Sequence, residues 1–232
     1  MALLSPIIIG GVFLSAIVGG RGGEMSIHLR PLAALGIIGA AMFSITQLLM
    51  NQFGYDRDGF RTLVLIPADR RDILLGKNLS MAPIAMAFGL IGLIVLQFIS
   101  PLRTSHFLAS MFQLVSVFII FCLVGNLISI LVPLRVASGA LRPAKPKLTT
   151  VFIHFLLTLL FPVALIPSAI PFGLEWLSHQ LGWAVNIPIY LALSVISFGI
   201  VLLLYKIVLN AQGEILRRRE KRMLEIVTSK LE

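Results

Sequence analysis

The sequence predicts an all-α fold, a polytopic membrane helical bundle of six transmembrane helices with a cytoplasmic amphipathic segment between the second and third. Three observations carry this expectation. Of 232 residues, 58% are hydrophobic and 12% charged, about half the charged fraction of a soluble domain, and the mean hydropathy is +0.98. The apolar residues fall in runs of about 20, the length that crosses a ~30 Å hydrocarbon core as helix. The polar connections alternate between rich and poor in Lys and Arg. Together these exclude a soluble globular enzyme, a disordered tail and a secreted disulfide scaffold. Length leaves room for about six spans in one membrane domain.

The spans are expected at residues 3–20, 31–50, 81–100, 107–134, 150–172 and 187–209. Their interiors hold no Asp, Glu, Lys or Arg; Lys206, near the end of the last, can snorkel to the interface. The first span starts almost at Met1 without a basic flank, and Gly19-Gly20-Arg21-Gly22-Gly23 is a poor cleavage site, so a secretory signal is not expected. A shortened start and the C-terminal part of a longer membrane protein both remain open. The fourth run is long for one span, so it tilts or begins as an interfacial helix. The fifth is interrupted by Pro162, Pro167 and Pro171, which predicts a kinked or re-entrant second half.

Arg57, Arg61, Arg70, Arg71 and Lys77 lie between spans two and three, Arg135, Arg142, Lys145 and Lys147 between four and five, and Arg217, Arg218, Arg219, Lys221, Arg222 and Lys230 in the tail. The other connections hold Arg21 and Arg30, then Arg103, then none. The positive-inside rule therefore places both termini in the cytoplasm, as an even number of spans demands. The expected organisation is a transmembrane domain over residues 1–210 and a basic cytoplasmic tail over 211–232 that prolongs the last helix against anionic lipid. The net charge of +9 is explained by this inside bias. A nucleic-acid partner is not expected, because no soluble basic domain with aromatics is present.

Residues 51–78 are the informative stretch. Gly54 and Gly59 punctuate an Asp- and Arg-rich turn. Phe60, Leu63 and Val64 fall at helical spacing in a short run that Pro67 ends. Asp69 looks like an N-cap with Asp72 as a weak capping-box partner. Ile73-Leu74-Leu75 follows, and Gly76 and Lys77 are expected to close that helix where the third span begins. The expectation is two short amphipathic helices flat under the membrane, joined at Pro67. On pattern alone this is either a plain interfacial hairpin or a docking element that presents charge to a cytoplasmic partner.

The string Phe-Gly-x-Asp-Arg-x-Gly-Phe-Arg-x-Leu-x-Leu-x-Pro-x-x-Arg-Arg-Asp-Ile-Leu-x-Gly-Lys-Asn, residues 53–78, resembles bacterial permease subunits of the type-2 ATP-binding-cassette (ABC) exporter class. The shorter form Leu-x-x-x-Pro-x-x-Arg-x-x-Ile-Leu-x-Gly-Lys is the widely shared part. Gly125-Asn126 with Ser129 and Pro133 is a weaker echo. The resemblance implies that 51–78 carries the coupling helix, which fits a groove on a separate cytoplasmic ABC ATPase subunit. It implies a second permease subunit, in a homo- or heterodimer, and a multi-pass location in the bacterial cytoplasmic (inner) membrane. Phe53, Gly54, Asp56, Arg57, Gly59, Phe60, Arg61, Pro67, Arg70, Arg71, Asp72 and Lys77 are then the partner-binding set. Asp56, Arg57, Phe60, Arg61 and Arg70 make the contact, and Arg71, Asp72 and Lys77 set the helix and its approach to the membrane. One departure is plain: family members usually begin with a cytoplasmic amphipathic helix before the first span, and none is seen here.

No catalytic residue, metal site or cofactor is expected on this chain; ATP and Mg belong to the partner subunit. Gly76-Lys77-Asn78 lacks the upstream glycine of a phosphate loop and has Asn where Ser or Thr must reach the metal. Asp56-Arg57-Asp58-Gly59 is reminiscent of lipid-alcohol phosphotransferases, but Pro67 and Arg70-Arg71 spoil a metal cage around Asp69 and Asp72. Glu175 and His179 are expected in an extracytoplasmic connection with Trp176 and Trp183 as interfacial anchors, and His154 near the interface. The absence of any buried carboxylate argues against a proton-coupled transporter. Asn126 and Ser129 are candidates for a pathway or a packing role. The lone Cys122 forms no internal disulfide. The alternatives are a non-transporting membrane assembly or anchor protein and, less in keeping with the residues, a metal-dependent phosphotransferase.

Overall fold

The computed structural model describes residues 30–136, 148–183 and 188–228. The expected first span, together with Arg21, Arg142, Lys145, Lys147 and Lys230, lies outside the described residues. Within them the fold is helical with no β-strand: α1 (Arg30–Met50), α2 (Gln52–Asp56), α3 (Gly59–Leu65), α4 (Arg70–Ile99), α5 (Thr104–Leu131), α6 (Leu148–Thr158), α7 (Leu160–Ala164), α8 (Ile166–Gln180) and α9 (Ile189–Thr228). Among the described residues, five stretches are long and apolar enough to cross a membrane: Arg30–Met50, Arg70–Ile99, Thr104–Leu131, Leu148–Gln180 and Ile189–Val227. They match expected spans two to six and mark the chain as a helical membrane protein.

Three local expectations need correction. Gly54 was expected in a turn, yet it lies inside α2, leaving the reversal to Arg57, whose φ of 53° is left-handed. Gly76 and Lys77 were expected to close a helix, yet α4 runs through them without a break. A single glycine costs a helix only about 1 kcal/mol, and α4 has the whole of the third span to propagate from. With 30 residues it is about 45 Å long at 1.5 Å per residue, so its first turns stand clear of a ~30 Å core. The second of the two flat helices is therefore the projecting start of a span. The third correction concerns the end of the fifth span, which continues beyond residue 172 to Gln180.

Two of the three prolines of the fifth span act as expected, and Pro171 does not interrupt its helix. The fifth span is cut into α6, α7 and α8 by interruptions at Leu159 and Leu165. Pro162 and Pro167 stand just after these breaks, where their missing N–H groups deprive the preceding turn of hydrogen bonds. Pro83 and Pro171 are accommodated inside α4 and α8.

The described residues group into two compact units. One comprises residues 30–45, 83–120, 162–183 and 188–203, the other 46–82, 121–136, 148–161 and 204–228. The first unit has a core rich in Ala, Leu and Ile, including Ala34, Ile38, Leu93, Leu96 and Leu114, with Phe112 and Phe198 in ring contact at 5.7 Å. The second is built on Phe53, Phe60, Leu74, Ile130, Leu209, Leu216, Met223 and Val227. Along α9 the buried positions Leu209, Gln212, Leu216, Met223 and Val227 alternate with exposed Arg217, Arg218, Lys221 and Arg222. The basic tail is thus one face of an amphipathic helix, and it continues the last span as expected. In this unit Gly125 lets α5 approach α1: a Cβ there would stand 2.7 Å from that of Leu49 and 3.0 Å from its backbone carbonyl. A Gly125→Ala variant is expected to lose about 1–3 kcal/mol by overpacking, read as a lowered thermal midpoint in detergent.

Candidate docking segment

The segment 51–78 lies wholly in the second unit and has two faces of opposite character. Its inward face is a chain of buried amides. Asn51 Nδ2 donates to the Leu134 carbonyl and Asn51 Oδ1 accepts the Leu134 N–H, both at 2.8 Å. Gln52 Nε2 reaches Asn126 Oδ1 at 3.3 Å and Asn78 Oδ1 at 3.5 Å. Asn126 Nδ2 donates to Gln212 Oε1 at 3.3 Å, and Gln212 Nε2 donates to the Leu123 carbonyl at 2.7 Å. Asn78 Nδ2 donates to the Tyr205 hydroxyl at 2.9 Å, and the Ser129 hydroxyl accepts the Phe53 N–H at 3.1 Å. The network joins α2, α4, α5 and α9. Buried amides are costly unless they find partners; every carboxamide atom of this set but Gln52 Oε1 finds one, and the shared bonds fix α2 against three helices.

Asn126 and Ser129 therefore sit in a packing network that holds residues 51–78. An Asn126→Leu variant would strand Gln212 Oε1 and leave Gln52 Nε2 only its 3.5 Å contact with Asn78, and is expected to cost about 1–3 kcal/mol. Its check is the thermal midpoint in detergent.

The apolar anchors also point inward. Phe53 and Phe60 are buried and meet edge to face at 5.5 Å. Lys77 Nζ stands 5.0 Å from the Phe53 ring centroid and 2.6–2.7 Å from the Asp56 carboxylate. Burial pushes the Asp56 carboxyl above its ordinary range, outweighing the pull of Lys77. The sign follows: the fold binds that proton more tightly than the unfolded chain, so at this site acidification through the raised pKa favours folding. Neutralising Asp56 should therefore cost little, about 1 kcal/mol or less for Asp56→Asn. Lys77→Met, which leaves a half-buried carboxylate without its cation, should cost about 1–3 kcal/mol.

Arg70, expected to face a partner, is turned to its own fold. Its guanidinium pairs with Glu220 on α9 and donates to the carbonyls of Leu63, Val64, Ile66 and Ala68 at 2.9–3.4 Å. The last carbonyls of a helix lack intrahelical partners, and one guanidinium with five donors serves several at once. Arg70 thus ties the end of α3 to α9.

The outward face consists of Asp58, Gly59, Arg61, Thr62, Leu65, Ile66, Pro67, Asp69 and Asp72, all exposed. Leu65 is 82% and Ile66 42% exposed, beside Arg61. Of the predicted contact residues, Arg61 stands free on this face, Asp56 and Arg57 are half-buried, and Phe60 and Arg70 support it from beneath. Leu65 and Ile66 were not singled out from the sequence. The helical spacing of Phe60, Leu63 and Val64 names an inner face, and by exclusion the opposite one.

A second polar site, in the first unit, corrects a further expectation. Glu175 does not lie in an exposed connection. It is 8% exposed on α8, with its Oε1 2.7 Å from His106 Nε2 and its Oε2 accepting the Tyr190 N–H at 2.5 Å. A buried carboxylate is therefore present. Among the described residues no group of three or more His, Cys, Asp or Glu is placed to hold a metal ion.

Compared with known proteins, the chain matches no family model, no curated protein and no solved structure.

Proposed function

We propose that this chain is the permease subunit of an ABC transporter, an exporter of the type-2 class, coupled through residues 51–78 to a separate cytoplasmic ATPase subunit. It works as a dimer of permease subunits in a bacterial inner membrane, with both termini in the cytoplasm. The observation that carries the reading is the two-faced segment: α3 offers Arg61, Leu65 and Ile66 outward, while Phe60, Arg70 and the buried amides bind its inner side to α4, α5 and α9. An element that converts movement of a partner into movement of spans needs both properties. It needs a small apolar contact with a charge beside it, and it needs a stiff link to the helices behind it. When ATP and Mg close the partner's two halves, force on α3 would pass through Arg70 to α9 and through Phe60 to the cluster around Leu74.

Arg61→Glu and Leu65→Asp test this directly, since both residues are exposed and neither supports the fold. Each is expected to reach the membrane at the wild-type level while lowering stimulation of the ATPase subunit tenfold or more, equivalent to about 1.4 kcal/mol of coupling. Normal ATPase stimulation in both variants would sink the assignment of α3 as the contact. The non-transporting anchor reading corresponds to a chain that stimulates no ATPase at all.

A further inference from the structure

Unit one holds a buried ionisable pair. His106, 3% exposed, comes from the first turn of α5, and Glu175 from α8. Charged or chargeable groups inside membrane helices are costly and point to function by default. The hydrogen bonds define the protonation chemistry. Glu175 Oε2 accepts the backbone N–H of Tyr190, one of the unpaired donors in the first turn of α9, and the positive end of that helix favours a carboxylate over a carboxylic acid. An ionised carboxylate only accepts, so His106 Nε2 must carry a hydrogen and donate it to Oε1. That leaves Nδ1 as the atom whose protonation is variable, and it is buried without a hydrogen-bond partner. With Nδ1 bare the pair carries a buried net negative charge; with Nδ1 protonated it is neutral overall.

We propose that His106 and Glu175 form a proton-binding site, with the proton taken up at His106 Nδ1, and that this proton tightens the attachment of α5 to α8 and to the start of α9. Its ligand is the hydrogen ion and requires no cavity. The other titratable groups facing the pair are His179, one turn further along α8 and in electrostatic contact with Glu175, and Tyr190 on α9, whose ring lies 5.8 Å from the imidazole. Arg103 stands exposed just before α5. The site does not depend on the docking role of residues 51–78.

The protein carries its own reporter. Its two tryptophans, Trp176 and Trp183, neighbour Glu175 on α8 and lie just beyond that helix, and both are exposed. Tryptophan emission of the purified full chain in detergent, followed as a function of pH, should trace a single-proton curve. The curve should be lost in His106→Gln and in Glu175→Gln, and kept in His179→Gln and His154→Gln. Hydrogen–deuterium exchange at the imidazole C2 position, read by mass spectrometry on the wild-type chain, needs no variant and should show the His106 rate changing sigmoidally with pH. A His106 exchange rate that does not respond to pH, or an emission curve that survives His106→Gln and vanishes in His179→Gln, would overturn the site.

Discussion

Replacing Arg70 by alanine is expected to destabilise the second unit by about 3 kcal/mol and to release α3. The guanidinium and its partner Glu220 are each 16% exposed, and removing one member of a largely buried pair leaves the other's charge uncompensated, at about 3–5 kcal/mol when burial is complete. The carbonyls of Leu63, Val64, Ile66 and Ala68 also lose their donor. Arg70→Lys should recover little, because one ammonium has three donors on a single atom and cannot span that arc. Glu220→Gln should be milder, at about 1 kcal/mol, since Arg70 keeps the carbonyls. Limited trypsin digestion in detergent separates these variants. Arg61 on α3 should be cut much faster in Arg70→Ala than in the wild type or in Glu220→Gln.

Gly54→Ala is expected to cost about 3 kcal/mol and to lower the yield of folded protein. A Cβ at this position would run into the backbone carbonyl oxygen of Leu134 and the carboxamide of Asn51, the two groups joined by the paired 2.8 Å hydrogen bonds. Overpacking usually costs about 1–3 kcal/mol, and here the obstacle is backbone that cannot change rotamer. Gly59 is the control. A Cβ on it meets nothing within 4 Å, so Gly59→Ala should lie within about 0.5 kcal/mol of wild type. Thermal midpoints and the monodisperse fraction on size exclusion distinguish the two, although the sequence presents both glycines as equivalent turn signals.

That equivalence illustrates what was and was not legible beforehand. Spans two to six were readable because each is a long apolar run, and the breaks before Pro162 and Pro167 because a missing N–H acts locally. α3 was readable from Phe60, Leu63, Val64 and Pro67, all within eight residues. What stayed hidden depends on partners far along the chain. The demand on Gly54 comes from Leu134, the role of Arg70 from Glu220, and the burial of Gln52 from Asn126 and Gln212. Glu175 was misplaced for the same reason. Near the end of an apolar run a carboxylate reads as interfacial, and only its meeting with His106, 69 positions away, makes it a buried group.

Docking of an ABC ATPase by α3, proposed above, is open to direct test. The most direct test is recovery of the tagged full-length chain from its native membrane in detergent, with mass spectrometry of what accompanies it, for wild type beside the Arg61→Glu, Leu65→Asp double variant. The expected result is an ABC ATPase subunit recovered with the wild type and lost from the double variant, with both chains folded as judged by equal thermal midpoints in detergent. An intact wild-type chain that brings down no ATPase, or a double variant that retains it in full, would contradict the account.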